Sequence, residues 1–208
     1  MMKCGTLLSS LSFQWMTKNA GKKMIKVRNV LYWFIDFILI VVLVAADQFT
    51  KKLAVEHLMN KAPISVIKDF LILEYLENRG AAFGMLQNQS LFFIAIGVLF
   101  VCIIVVALVR IPTYGKYHFL RFLLSLITAG AIGNMIDRVT LKYVIDFIYV
   151  IYIDFPVFNV ADIYVTLGTA ALLITILFVW KEDDLDMKKA NNPKIHSAFL
   201  NPENKSEK

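Results

Sequence analysis

The hydrophobic residues of the chain fall into four long runs separated by polar stretches. A helix needs about 20 mostly apolar residues, with a rise of about 1.5 Å each, to cross the hydrocarbon core of a bilayer. Four segments meet this requirement, at about residues 30–46, 91–109, 119–136 and 160–180. The pattern therefore predicts an α-helical polytopic membrane protein with four transmembrane helices.

The polar stretches divide the rest of the chain. We assign residues 1–29 to a basic N-terminal leader, residues 30–180 to the membrane domain and residues 181–208 to a polar, disordered tail. The helices leave two outer loops, 47–90 and 137–159.

Both outer loops contain segments with their own structural pattern. In the first, "TKKLAVEHLMN" predicts a short amphipathic helix ended by Pro63, and "ISVIKDFLILEYLEN" predicts a hairpin with its turn at Lys68 and Asp69. In the second, "YVIDFIYVIYIDF" has the composition of a strand. These segments predict a small extracytoplasmic β-sheet region.

Composition supports the membrane assignment. The 208 residues are 58% hydrophobic and 18% charged, and the mean hydropathy of +0.63 excludes an ordinary soluble domain. The net charge of +6 lies beside apolar segments, so it indicates membrane topology and no nucleic-acid partner. Cys4 and Cys102 are poorly placed to pair, and scattered histidines predict no metal site and no cofactor.

Basic residues are distributed unequally between the two sides. The leader has six Lys and Arg, the connection between helices 2 and 3 with Arg121 adds three, and the tail has six. Outer loops 47–90 and 137–159 have five and two. Because cytoplasmic segments carry the excess of basic residues, both termini are predicted to be cytoplasmic.

Two charged residues lie inside predicted helices. We interpret Asp36 as an acid tolerated near the start of helix 1. Arg121 stands at the start of helix 3, where its side chain can extend to the interface.

Polar residues collect at the outer ends of the spans, within "ADQFTKK", "ENRGAAFGM", "AGAIGNMIDRV", "YVIDF" and "FNVAD". Asn134, Asp137 and Arg138 share one helical face, and Ala129 and Gly133 allow a neighbouring helix to approach closely. Charged groups in a membrane tend to face the protein interior or an aqueous cavity. The convergence of these residues on one interface therefore indicates a functional site.

Each of these polar residues also has an explanation in which it serves structure and not function. Asp137 and Arg138 can form an interfacial charge pair, and Asp47 can be a helix-end residue that reaches the interface. Asn159 can cap helix 4, and Asp162 can complement its dipole. Asp146 can be an ordinary loop acid.

Five motifs, "DQFTK", "NRGAAF", "GNMIDR", "VIDF" and "FNVAD", occur in this order over about residues 28–180. In these motifs the chain resembles the lipoprotein signal peptidase family, also called signal peptidase II. The resemblance implies a bacterial aspartic endopeptidase of the cytoplasmic membrane, the target of globomycin, that removes signal peptides from diacylglyceryl-modified prolipoproteins by cleaving before the lipidated cysteine. It implies a multi-pass protein whose active site is on the extracytoplasmic side. Its partners are these prolipoproteins and membrane lipids, and we expect a monomer.

The resemblance also implies roles for single residues. The catalytic pair matches Asp146 and Asp162. The positions that support or line the site match Asp47, Asn78, Gly80, Asn134, Asp137, Arg138, Asn159 and Ala161. Because Asp146 belongs to the second outer loop and Asp162 to helix 4, we hypothesise that the loop shifts to complete the pair when substrate binds.

Other classes of membrane protein fit the sequence less well. Serine, zinc and presenilin-like proteases would carry G-x-S-x-G, H-E-x-x-H or G-x-G-D, which are absent. A transporter or channel component with a proton relay would place acids near the midplane. A structural anchor would not require so many polar residues on one side.

Overall fold

The computed structural model describes residues 4–80 and 89–181, and the side chains of residues 27–80 and 89–181. The principal elements in chain order are α1 (Cys4–Leu58), β1 (Ile64–Ile67), β2 (Leu71–Asn78), α2 (Ser90–Arg110), α3 (Tyr117–Thr140), β3 (Val144–Val150) and α4 (Val160–Ile174). A 3₁₀ turn follows β3 at Ile151–Ile153, and α4 continues as a π-helical turn at Thr175–Val179. Apart from Lys181, the predicted tail lies outside the described residues.

Among the described residues, four segments are long and apolar enough to span a membrane: Val27–Leu58, Ser90–Arg110, Tyr117–Thr140 and Val160–Val179. This confirms the predicted polytopic helical class. The orientation of the termini stays a prediction.

The first helix differs from the prediction. It does not end at residue 46 before a separate amphipathic helix, but continues without a break to Leu58. The reason is local, since no glycine or proline occurs between Gly21 and Pro63 to interrupt the backbone. Asp47 and Lys51 are therefore one turn apart inside a rigid helix. In the same way α3 extends to Thr140, so Asp137 belongs to the helix and not to the loop.

Three antiparallel strands form a sheet in the order β1-β2-β3. The predicted hairpin is confirmed, and its turn residue Asp69 has a φ of 57°, a conformation that a short polar side chain tolerates. In the β2–β3 pair, Leu76 lies opposite Asp146 and Asn78 opposite Val144. The predicted strand in the second outer loop is confirmed, because ladder pairing fixes Asp146 in β3, and the description of Asp146 as a loop residue was wrong.

Helix α3 is the packing centre of the membrane domain and contacts α1, α2 and α4. A Cβ atom at Gly130 would lie 2.4 Å from the carbonyl oxygen of Ala161, and one at Gly133 would lie 2.5 Å from Asp47 Oδ2. Glycine is required at both positions because the backbone of α3 directly contacts α4 and α1. The pattern had pointed to Ala129 and Gly133. Ala129 is fully buried, but Gly130 makes the closest contact with α4.

The charged residues inside the helices pair with each other. Arg121 is 1% exposed and Asp36 is 7% exposed, and Arg121 Nη2 donates to the Asp36 carboxylate. Arg121 Nη1 also donates to the carbonyl oxygens of Leu108 and Ile111, at 2.6 and 3.0 Å. The last carbonyl oxygens of a helix have no backbone N–H donors within that helix. At the end of α2, the Arg121 guanidinium provides the missing donors. The expectations that Arg121 extends to the interface and that Asp36 is merely tolerated were wrong, because the two groups neutralise each other inside the protein.

Candidate active site

The first turn of α4 holds Asp162 in a fixed geometry. Asn159 is the N-cap residue, and its Oδ1 accepts from the backbone N–H of Asp162 at 3.0 Å. Asp162 Oδ2 in return accepts from the backbone N–H of Asn159 at 3.1 Å. The predicted N-cap role of Asn159 is thus confirmed, and the Asp162 carboxylate completes a reciprocal capping box. It also leaves Asp162 Oδ1 available for a further partner.

Asp146 lies in the buried part of β3 and is 1% exposed. Its Oδ2 accepts from Asn78 Nδ2 at 2.8 Å, and its Oδ1 accepts from Asn159 Nδ2 at 2.7 Å. Burial, and to a lesser extent the nearby Asp162 carboxylate, raises the pKa of Asp146 to about 7. The two hydrogen bonds and the positive charge of Lys51 oppose this rise. At neutral pH this carboxyl can therefore both hold and release a proton.

Two asparagines join the two aspartates. Asn159 Nδ2 donates to Asp146 Oδ1 and also approaches Asn134 Oδ1 at 3.1 Å. Asn134 Nδ2 donates to Asp162 Oδ1 at 2.7 Å. The hydrogen-bonded path thus runs from β3 through the start of α4 to α3 and back to α4. Regular elements fix every member of this path.

The two carboxylates line a cavity of about 1030 Å³ between the sheet and α4. Its polar lining includes Asn78, Gly80 and Arg138, while Phe155 and Leu167 supply apolar surface. A cavity with an apolar wall and a few convergent polar groups is typical of a ligand-binding site.

Two of these polar lining residues have fixed orientations. The backbone N–H of Gly80 donates to Asn78 Oδ1 at 3.0 Å, which turns the Asn78 amide nitrogen toward Asp146. The guanidinium of Arg138 lies 4.8 Å from the ring centroid of Phe93, and its Nη1 donates to the carbonyl oxygen of Asn134 at 3.3 Å. Arg138 therefore presents a positive charge to the cavity.

Three of the predicted supporting residues lie behind the cavity. Asp47 is fully buried, and its Oδ1 accepts from the backbone N–H of Ala161 at 2.9 Å, which ties α1 to the first turn of α4. Asp137 Oδ2 accepts from the backbone N–H of Ile145 at 3.2 Å, next to Asp146 in the strand. The structure thus brings all ten predicted site residues into one region. The alternative pairing of Asp137 with Arg138 was wrong, because the cationic partner of Asp137 is Lys51 at 2.9 Å.

Sequence reasoning missed Lys51 and underused Gln48. Lys51 is 1% exposed and forms ion pairs of 2.9 Å with both Asp47 and Asp137. Gln48 Nε2 donates to Asp137 Oδ1 at 2.9 Å. The signal was present in "DQFTK", where Asp47 and Lys51 are spaced i, i+4. The signal did not show because the predicted end of helix 1 at residue 46 separates Asp47 from the short helix that contains Lys51.

The fold and the site define a polytopic helical membrane protein in which a buried aspartate and a half-buried aspartate are linked through two asparagines at the sheet end of the helices. Within the described ranges, no group of three or more His, Cys, Asp and Glu residues is arranged to hold a metal ion. The sequence profile of signal peptidase (SPase) II matches residues 39–178. The chain belongs to the signal peptidase II family.

Individual relatives agree with this family assignment. The lipoprotein signal peptidase of Clostridium tetani is 43% identical over 157 residues, which cover 74% of this chain and 97% of the relative. That of Caldanaerobacter subterraneus subsp. tengcongensis is 45% identical over 145 residues, which cover 69% and 95%. A solved bacterial membrane enzyme, determined by the in meso method at 2.3 Å resolution, matches with a TM-score of 0.61 and 32% identity, over 71% of this chain and 93% of that chain.

Proposed function

We propose that this chain is an aspartic endopeptidase that removes signal peptides from diacylglyceryl-modified prolipoproteins. It cleaves before the lipidated cysteine, at the outer face of the bacterial cytoplasmic membrane. Asp146 and Asp162 are the catalytic residues. Residues 30–180 form the peptidase domain, which acts as a monomer between a basic cytoplasmic leader and a cytoplasmic tail.

The hydrogen-bonded path between the two aspartates is the observation that carries this proposal. Asn134 and Asn159 hold one oxygen of each carboxylate at 2.7 Å. Both carboxylates also line the same cavity. A simple helix-capping role accounts for Asp162, but it gives no reason for a second buried carboxyl of raised pKa on the same cavity.

The two carboxyls occupy different environments, and this difference assigns their roles. Asp162 lies in the first turn of a helix, where the backbone N–H groups favour a negative charge. Asp146 lies in a buried strand, and its pKa of about 7 allows it to keep a proton at neutral pH. Asp162 is therefore the base of the resting enzyme and Asp146 the acid, although the pair titrates as a unit.

The reaction follows from these roles. Asp162 accepts a proton from water, the water oxygen bonds to the scissile carbonyl carbon, and Asp146 donates its proton to the carbonyl oxygen. In the tetrahedral intermediate, Asp162 then donates its proton to the cysteine nitrogen while Asp146 accepts one from a hydroxyl group. The C–N bond breaks, which releases a carboxylic acid and an amine and restores both carboxyls. No covalent intermediate is formed.

The position of the cavity suits a lipid-anchored substrate. The acyl chains of a diacylglyceryl cysteine stay in the hydrocarbon region, so the scissile bond lies near the interface. The site lies at the sheet end of the helices, where α1 and α3 contact β3 and the N-cap residue of α4 donates to Asp146. A proton relay across the membrane would instead require acids along the bilayer depth. The described acids of the site are all at one end.

A cleavage assay in reconstituted bilayers tests this function. The substrate is a prolipoprotein carrying a diacylglyceryl cysteine, and mass spectrometry locates the cut. We expect cleavage immediately before the modified cysteine, and loss of rate by about 100- to 10,000-fold in Asp146→Asn and in Asp162→Asn, because each removes a proton-transfer group.

Asp69→Asn is the matched control. Asp69 is exposed at the hairpin turn with a φ of 57°, which asparagine also tolerates. It should cleave at the rate of the unmodified enzyme. Cleavage at another bond, or equal cleavage of a substrate in which serine replaces the lipidated cysteine, would contradict the proposal.

A further inference from the structure

We infer that Lys51 is a positioning residue of the reaction, which acts on Asp162 by fixing the side-chain amide of Asn134. The inference rests on the proposed function, since it concerns the geometry of the proposed base. Lys51 lies on α1, and it is not among the described residues that line the cavity.

The contacts of Lys51 define its geometry. Its Nζ lies 2.9 Å from Asp47 Oδ2, 2.9 Å from Asp137 Oδ2 and 3.0 Å from Asn134 Oδ1. An ammonium group has three donors and no acceptor, so these three contacts use its full capacity. Both acids are in turn held elsewhere, since Asp47 accepts from Ala161 and Asp137 from Ile145. The Lys51 nitrogen is therefore fixed from α1, α3, α4 and β3.

The contact with Asn134 has a consequence for Asp162. An amide presents an oxygen that accepts and a nitrogen that donates, and the two ends can exchange places by rotation. A lysine can only donate, so it selects the orientation in which Oδ1 faces Lys51. Asn159 Nδ2 approaches the same oxygen. The amide nitrogen of Asn134 must then face Asp162, where it donates at 2.7 Å.

This arrangement suits a base. With the opposite orientation, the oxygen of Asn134 would face an ionised Asp162 oxygen, and two acceptors would meet. That contact would favour a proton on Asp162 and disfavour the ionised form that accepts a proton from water. Lys51 thus supports catalysis without touching substrate.

A simpler explanation is that Lys51 only neutralises Asp47 and Asp137. Removing it would leave buried unpaired acids and damage folding, which also lowers activity. The two explanations differ in a charge-balanced variant. Lys51→Met/Asp137→Asn removes one positive and one negative charge, so the net charge of the cluster is unchanged, but the donor to Asn134 is still missing.

Steady-state kinetics with the lipidated prolipoprotein, on monodisperse folded protein in bilayers, separate the two explanations. We expect kcat of Lys51→Met/Asp137→Asn to fall on the order of 100-fold, the size of effect that follows from misplacing a reacting group. KM should change less than about threefold, because uniform substrate binding is unaffected. Asp137→Asn alone keeps the lysine donor and measures the cost of changing the acid itself, so kcat of the double variant should lie at least about tenfold below that of Asp137→Asn.

Recovery of the unmodified kcat by the double variant would overturn the inference and leave Lys51 a charge-neutralising residue. If the Lys51 variants do not fold, NMR of the Asn134 side-chain amide in the unmodified protein tests the inference instead. This amide should be protected from exchange with water and shift as the aspartate pair titrates, and a freely exchanging amide without a pH response would also overturn the inference.

Asp162→Asn is measured in parallel. Full activity of that variant would refute the proposed function itself, whereas an inactive Asp162→Asn beside a fully active double variant refutes only the role of Lys51.

Discussion

The buried pair between Arg121 and Asp36 gives a quantitative prediction for stability. Replacing Arg121 with methionine keeps an apolar chain of similar length but removes the charge. It leaves the Asp36 carboxylate unpaired and removes the donors to the Leu108 and Ile111 carbonyls. Breaking one side of a buried ion pair costs about 3–5 kcal/mol, and a buried acceptor without a partner costs about 1–3 kcal/mol. We expect the free energy of unfolding to fall by about 4 kcal/mol or more.

The double variant Arg121→Met/Asp36→Asn provides the internal check. In Arg121→Met alone, the buried Asp36 carboxylate has no compensating charge. In the double variant an uncharged asparagine replaces it, so this cost disappears. The double variant should therefore be about 2 kcal/mol more stable than Arg121→Met, within the range of coupling found between contacting residues. Asp36→Asn alone should cost less than Arg121→Met, because the asparagine oxygen still accepts from the guanidinium.

Reversible denaturant unfolding in mixed micelles, followed by tryptophan fluorescence, measures these differences. The cleavage rate per folded molecule should not change, since Arg121 lies about 24 Å along α3 from Asp137 at about 1.5 Å per residue. A cost below about 1 kcal/mol for Arg121→Met is what a solvent-exposed pair would give. That result, or strictly additive effects in the double variant, would refute the assignment of a buried pair.

Three further predictions concern the site itself. Gly133→Ala should destabilise the protein by about 1–3 kcal/mol and lower kcat, because the added Cβ would lie 2.5 Å from Asp47 Oδ2. The control is Gly97→Ala, whose Cβ would lie 3.5 Å from Met135 Sδ, and it should be neutral in the same unfolding and cleavage assays. With a pKa of about 7 for Asp146, kcat/KM should fall as the pH rises above about 7, where the acid is lost, and a rate still rising up to about pH 9 would contradict the assignment. The same raised pKa stabilises the fold below about pH 4, and this contribution is lost as the pH rises through about 7.

Much of the fold was predictable because its signals are local. Runs of apolar residues locate four spanning helices, and the composition around Lys68 and Asp69 locates the hairpin. These predictions depend on periodicity and composition, which a single sequence carries. The ten site residues were instead assigned by the resemblance of the motifs to a known family.

Other features depend on tertiary contacts that a single sequence does not display. The buried pairing of Arg121 with Asp36 joins residues from two helices, and nothing in either segment identifies the partner. The composition around Asp146 indicated a strand, but its register, with Asp146 opposite Leu76, depends on pairing with β2. The role of Lys51 was hidden by the predicted end of helix 1 at residue 46, since this break places Asp47 and Lys51 in different elements and conceals their i, i+4 spacing.

The central claim is that Asp146 and Asp162 perform the reaction together. Its most direct test is the single-turnover cleavage rate of Asp146→Asn and Asp162→Asn in bilayers, with substrate binding measured separately and Asp69→Asn as control. We predict unchanged binding with a rate reduced by at least about 100-fold in both variants and not in the control. A folded variant of either aspartate that cleaves at near the unmodified rate would contradict the account.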